Sequence, residues 1–182
     1  KKDFIKHEAP YLEISDHDFF SMVMMSPMVG VAMANGSISF FEERSLNKKA
    51  RKLSKGGYFM KKDPVVYAMQ FLIKKFDGWD NKFYDLLKLA IEKSFHYEGI
   101  TKQKASAAEV SYAEYKREVL KQPYILIRFI ASFFLENDEE IISNERTIGK
   151  SEHASMEEIG AKLGLDDIPI FQMFCKTFTI KG

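Results

Sequence analysis

Apolar residues recur along most of this chain at helical spacing, and polar or glycine-containing breaks separate the runs. Asp16 can cap a first turn, and Ser26-Pro27 sets a cap before a proline. A broken helix is therefore predicted over about 17–34, ending in Ala34-Asn35-Gly36. Ser39-Phe40-Phe41-Glu42 is a capping box that opens a second helix running to about Leu53 and stopping at Lys55-Gly56-Gly57. Asp63-Pro64 starts a third, with Val66, Met69, Leu72, Ile73 and Phe76 inward, and Asp77-Gly78 is expected to break it. Asp80 caps a fourth, with Phe83, Leu86, Leu87, Ala90 and Ile91 inward, and Glu98-Gly99 ends it.

Residues 101–105 read as a polar linker, followed by a helix over about 106–120 with Val110, Ala113 and Leu120 inward. Pro123 begins the most apolar helix, 123–135, which ends in the acidic run Glu136-Asn137-Asp138-Glu139-Glu140. Ser143 starts a short helix in this scheme. Ser155-Met156-Glu157-Glu158 reads as a second capping box, whose helix stops at Gly164, and a last helix covers about 167–178. Residues 1–14 lack periodicity and read as a lead-in segment, and no alternating run predicts a strand.

Shifting the chain by 102 residues partly overlays its halves. Asn35 falls on Asn137, Glu43 on Glu145, Arg44 on Arg146, Lys48 on Lys150, Gln70 on Gln172, Lys74 on Lys176 and Phe76 on Phe178. Composition alone gives roughly two or three identities over such a stretch, so an internal repeat is the reading adopted. The two most apolar helices occupy matching places. The expected fold is all-α, a single compact bundle of seven to nine helices over 15–182 with a pseudo-twofold repeat, half one about 15–98 and half two about 106–182.

Composition narrows the function classes. Lys and Arg total 27 against 26 Asp and Glu, so no bulk charge drives binding to nucleic acid or anionic membranes. The apolar runs Met22 to Met33 and Ile125 to Leu135 are shorter than the roughly 18–20 residues a membrane span needs. A single cysteine, Cys175, excludes an intrachain disulfide and fits a reducing compartment such as the cytoplasm. The chain opens on Lys1 rather than Met, which reads as a trimmed start, and no signal-peptide pattern is present.

The repeated unit is an apolar helix, a short Asn-containing turn, and a helix start bearing Ser and Glu. It reads Ala34-Asn35-Gly36-Ser37-Ile38-Ser39-Phe40-Phe41-Glu42-Glu43-Arg44, and again Glu136-Asn137-Asp138-Glu139-Glu140-Ile141-Ile142-Ser143-Asn144-Glu145-Arg146. This unit, with Glu158 to Asp166, resembles the TerB-like family of tellurite-resistance-associated helical domains over about residues 20–175. The resemblance implies a stress-associated interaction or scaffold domain rather than an enzyme, with another protein as partner. It maps the family's acidic turn positions onto Asn35, Glu42 or Glu43, Asp138 and Glu145. A divalent cation (Ca, Mg or Mn) held by Glu42, Glu43, Asp138 and Glu145 is the site expectation that follows. Asn35 stands where the family carries Asp, and Glu139 where it carries Gly, which changes the oxygen donors on offer.

Each candidate has a plainer alternative. Glu42 can be a helix cap, and the other acids can be solvated charges at helix starts. His7, His17, His96 and His153 form no i, i+4 pair and lack thiol neighbours, so zinc is not expected. Cys175 between Phe174 and Lys176 reads as a buried small hydrophobe, and neither a nucleophile elbow nor a phosphate loop occurs. Residues 155–178 resemble a helix-turn-helix, the alternative being a DNA-binding regulator, yet Ile168, Ile170, Phe171 and Phe174 make the second helix a core helix. The basic stretch Lys48, Lys49, Arg51, Lys52, Lys55, Lys61 and Lys62 could dock an acidic partner or be a solvated helix face. Tyr112 and Tyr115 could anchor a partner or edge the core.

Overall fold

Short polar side chains start several of the helices. Ser15 Oγ accepts from the Asp18 amide at 3.0 Å, Asp63 Oδ1 from the Val65 amide at 2.9 Å, and Ser111 Oγ from the Glu114 amide at 3.2 Å. Ser39 and Glu42 complete the predicted capping box: the Glu42 amide donates to Ser39 Oγ at 3.3 Å, and the Ser39 amide donates to Glu42 Oε2 at 2.6 Å. The computed structural model describes residues 1–56, 63–100, 111–143 and 146–181. The expectations placed on Gly57, Lys61, Lys62, the linker 101–105, the helix start at 106, Val110, Asn144 and Glu145 lie outside the described residues.

The helices are α1 Lys2–Glu8, α2 Asp16–Met24, α3 Ser26–Ala32, α4 Phe40–Leu53, α5 Pro64–Lys74, α6 Phe76–Glu98, α7 Tyr112–Val119, α8 Tyr124–Phe134, α9 Lys150–Lys162 and α10 Pro169–Lys176. Two 3₁₀ turns, Met33–Asn35 and Asp138–Ile142, follow α3 and α8. The mostly helical fold agrees with the all-α expectation. Among the described residues no helix is long and apolar enough to cross a membrane.

The chain departs from its pattern in several places. Two short strands, β1 Arg146–Gly149 and β2 Phe178–Lys181, pair in parallel with Arg146 opposite Phe178. α9 and α10 supply the crossover that parallel pairing requires. Ser143 therefore does not start a helix, and α9 begins only at Lys150. Ser155 lies inside α9, and its hydroxyl donates to the Gly30 carbonyl at 3.3 Å instead of capping. Asp77-Gly78 does not interrupt a helix: the break falls at Lys75, and α6 takes Gly78 into its first turn, where its amide donates to the Lys75 carbonyl at 3.2 Å. The lead-in is packed rather than loose. Phe4 of α1 is fully buried against Phe19, Trp79 and Phe83, and Trp79 Nε1 donates to Glu8 Oε1 at 2.9 Å.

The two apolar helices do meet: α3 packs against α8, and against α6 and α9. Glycines permit the approach. A Cβ at Gly30 would collide with Tyr84 and Ile159, and one at Gly160 would land inside the Phe171 ring. Gly160→Ala is expected to cost about 2 kcal/mol through this overpacking, offset only slightly by alanine's better helix propensity. Urea denaturation checks this, and a variant as stable as the parent would show that α9 and α10 are not so tightly apposed.

Candidate functional site

The acidic turn after α8 lies against cations of α4. Lys49 follows Leu46 by three residues and precedes Leu53 by four, so it shares the inward stripe of its helix. It is 3% exposed. Its ammonium donates to the Leu135 carbonyl, which follows the last turn of α8, and at 3.0 Å to the Ala131 carbonyl, which also accepts from the Leu135 amide. Burial pulls the Lys49 amine down to about 8. The carboxylates of Asp138 and Glu140 oppose that shift, while Lys52 and Arg128 add to it.

The rest of the turn is tied in the same way. Lys52 Nζ donates to Asn137 Oδ1 at 2.7 Å, Asn137 Nδ2 donates to Glu140 Oε1 at 2.7 Å, and Arg128 pairs with Asp138. Lys48 Nζ lies 3.5 Å from Glu136 Oε1. Lys49, Lys52, Arg128, Glu136, Asn137 and Asp138 border a charged cleft of about 300 Å³. Below it, Arg146 is 7% exposed. Its guanidinium donates to the Glu140 carbonyl and, at 2.8 Å, to Thr177 Oγ1, and lies over the rings of Tyr115, Phe174 and Phe178.

Of the four residues expected to hold a cation, the three described ones are engaged separately. Glu42 serves the Ser39 cap, Glu43 lines a groove on the outer side of α4, Asp138 is held by Arg128, and Glu145 lies outside the described residues. The Asp138 turn meets α4 at Lys48, Lys49 and Lys52, which lie roughly 9–15 Å along the helix axis from Glu42. Among the described residues no group of three or more metal-ligating side chains converges.

The other candidates find structural places. Cys175 is buried and its thiol is pushed up by burial, so it is held as the thiol. His153 Nε2 lies 2.9 Å from the Cys175 carbonyl. α10 buries Ile170, Phe171, Phe174 and Cys175, which leaves it unlike a recognition helix. Tyr115 is core, its hydroxyl donating to the Ile141 carbonyl at 2.8 Å, and burial pushes its phenol up to about 12. Tyr112 donates to the Ile142 carbonyl. Ala113 and Leu120, expected inward, are exposed, because Tyr115 and Val119 carry the buried face of α7. Leu86 of α6 is likewise partly exposed.

On the outer side of α4, part of the basic stretch is joined by aromatic residues that the sequence reading did not place there. Phe40 and Phe41 are 74% and 79% exposed, with rings edge to face at 6.0 Å. Phe40 heads an i, i+4, i+7, i+8, i+11 stripe with Arg44, Asn47, Lys48 and Arg51, which with Glu43 lines an open groove of about 450 Å³. Comparison with protein-family models, with curated proteins and with solved structures finds no match to this chain.

Proposed function

We propose that this chain is a non-enzymatic interaction domain of TerB-like build, a stress-associated scaffold that docks another protein on the outer face of α4. The observation that carries the docking role is the exposed Phe40–Phe41 pair at the mouth of a groove. Adjacent, solvent-facing phenylalanines cost solubility, and large apolar side chains rimmed by polar ones mark protein-binding surfaces. Cation binding at the acidic turns is less well supported, because Asp138 would have to leave Arg128 and Glu42 would have to leave Ser39.

The TerB-like build is supported by a two-way exchange between the halves. Asn35, after α3, accepts from Ser151 of α9, while Asn137, after α8, accepts from Lys52 of α4. Ser155 of α9 donates to an α3 carbonyl, and Lys49 of α4 donates to α8 carbonyls. Each half thus supplies donors to the other's central helix and to the turn that follows it. The stress association comes with the family resemblance alone.

Selection of a random displayed-peptide library on the parent protein and on Phe40→Ser/Phe41→Ser tests the docking role. Both residues are exposed, so the variant should melt within about 0.5 kcal/mol of the parent. Peptides enriched on the parent are expected to bind the variant at least about tenfold more weakly. Equal enrichment on both proteins would remove the docking role.

A further inference from the structure

We infer that the α4 groove takes an extended acidic protein segment, with a bulky apolar residue at the Phe40 end and carboxylates at alternate positions beyond it. This rests on the docking role proposed above and assigns its partner's chemistry. Beyond Phe40 and Phe41 the stripe carries Arg44, Lys48 and Arg51, all exposed, so three cations follow one apolar anchor. Their backbone positions are about 6 Å and then about 4.5 Å apart along the helix. Same-side residues of an extended strand repeat at about 6.6 Å, which long, flexible Lys and Arg side chains can follow. The whole stripe, from Phe40 to Arg51, is about 16 Å long and matches about five extended residues.

The charge pattern of the groove points to a peptide rather than a bare anion. Glu43, the one acid of the groove, stands next to the phenylalanines, so the partner's carboxylates are kept to the Arg51 side. Lys48 already holds Glu136 at 3.5 Å, and a partner carboxylate would compete for that ammonium.

The peptides enriched on the parent protein provide the probe. Their affinities are measured by fluorescence anisotropy, as selected and with every Asp and Glu changed to Asn and Gln. The amide forms are expected to bind about tenfold more weakly, with the gap closing at high salt. Arg44→Gln/Arg51→Gln should weaken the acidic peptide by a similar factor without changing the amide form. Glu136→Gln should tighten the acidic peptide about two- to threefold by freeing Lys48. Thermal melts confirm that each variant folds.

If Phe40- and Phe41-dependent peptides bind equally well as acids and amides, the acidic partner is wrong while the docking role survives. If no peptide depends on the phenylalanines, both fall together. Concentration-dependent dimerisation lost in Phe40→Ser/Phe41→Ser would instead make a second copy the occupant. Competition by duplex DNA at equal charge would make the groove a phosphate-backbone site. Either outcome overturns the inference.

Discussion

Replacing Arg146 with alanine is expected to cost about 3–4 kcal/mol of folding stability and to lower the melting temperature by roughly 10 °C. Arg146 opens β1, yet its side chain turns inward and is 7% exposed. Its guanidinium carbon lies 5.8 Å from the Tyr115 ring, 5.2 Å from Phe174 and 5.4 Å from Phe178, so three elements close over one cation. Two of its nitrogens reach the Glu140 carbonyl and Thr177 Oγ1, while Nε has no hydrogen-bond partner and the aromatic faces stand in for one. Alanine would open a cavity between α7, α10 and β2 and leave the Glu140 carbonyl without its donor. Arg146→Met keeps most of the stem's volume and should recover about half the loss, which separates packing from hydrogen bonding. The acidic turn should also loosen, visible as faster amide exchange over 138–143. A melting point within about 2 °C of the parent would show that Arg146 is not the internal tie described here.

The paired residues of the internal repeat illustrate what a sequence can disclose. Arg44 and Arg146 fall on each other at an offset of 102, yet one is exposed on a helix and the other is buried at the start of a strand. Identity of residue type survives in the repeat while its environment does not. The helix starts at Ser39 and Asp63 were legible because a cap is a local device that needs only three or four residues, while the cap expected at Asp16 falls one residue earlier, on Ser15. The strands were not, because Arg146-Thr147-Ile148-Gly149 and Phe178-Thr179-Ile180-Lys181 are four residues each and pair across two helices. Ser155-Met156-Glu157-Glu158 carries the letters of a capping box but sits in mid-helix, where the Ser155 hydroxyl is used by Gly30. Tertiary packing, not the motif, decides its role.

Both halves of the α4 story were present in its spacing. Leu46, Lys49, Ala50 and Leu53 form one stripe, which places a lysine among inward residues. Phe40, Arg44, Asn47, Lys48 and Arg51 form the opposite stripe, which places a phenylalanine among outward ones. Reading Lys48, Lys49 and Arg51 as one solvated face merges two populations that 3.6-residue periodicity separates. The partner of Lys49, the end of α8, lies more than eighty residues away, and no local pattern reveals it.

Lys49 also gives the domain a distinctive response to pH. Its amine titrates near 8 in the folded protein against an ordinary 10.5, chiefly because burial disfavours the ammonium. Between those values the unfolded chain keeps the proton that the folded chain has released. Proton uptake therefore favours unfolding in this window, and the lysine's own contribution to stability rises from pH 8 towards 10.5, by about 3 kcal/mol at the upper end. Below pH 8 both states carry the proton, and the cost of the buried charge stays constant. Tyr115 acts in the opposite sense at higher pH. Its phenol is pushed up to about 12 from 10.0, so above pH 10 the unfolded chain ionises first and stability declines. The buried Cys175 thiol, pushed up from 9.0, opposes the lysine above pH 9, because the unfolded chain ionises it first. The parent should thus gain stability over pH 8–9, change little up to 10 and lose stability beyond. Lys49→Met leaves the thiol and tyrosine limbs intact and should remove the rise between 8 and 9, because a thioether has no proton to release. Urea denaturation at pH 7, 8, 9 and 10 on both proteins reads the difference directly. Parallel curves for the two would mean that the ammonium end of Lys49 is solvated, and that the end of α8 is finished by some other donor.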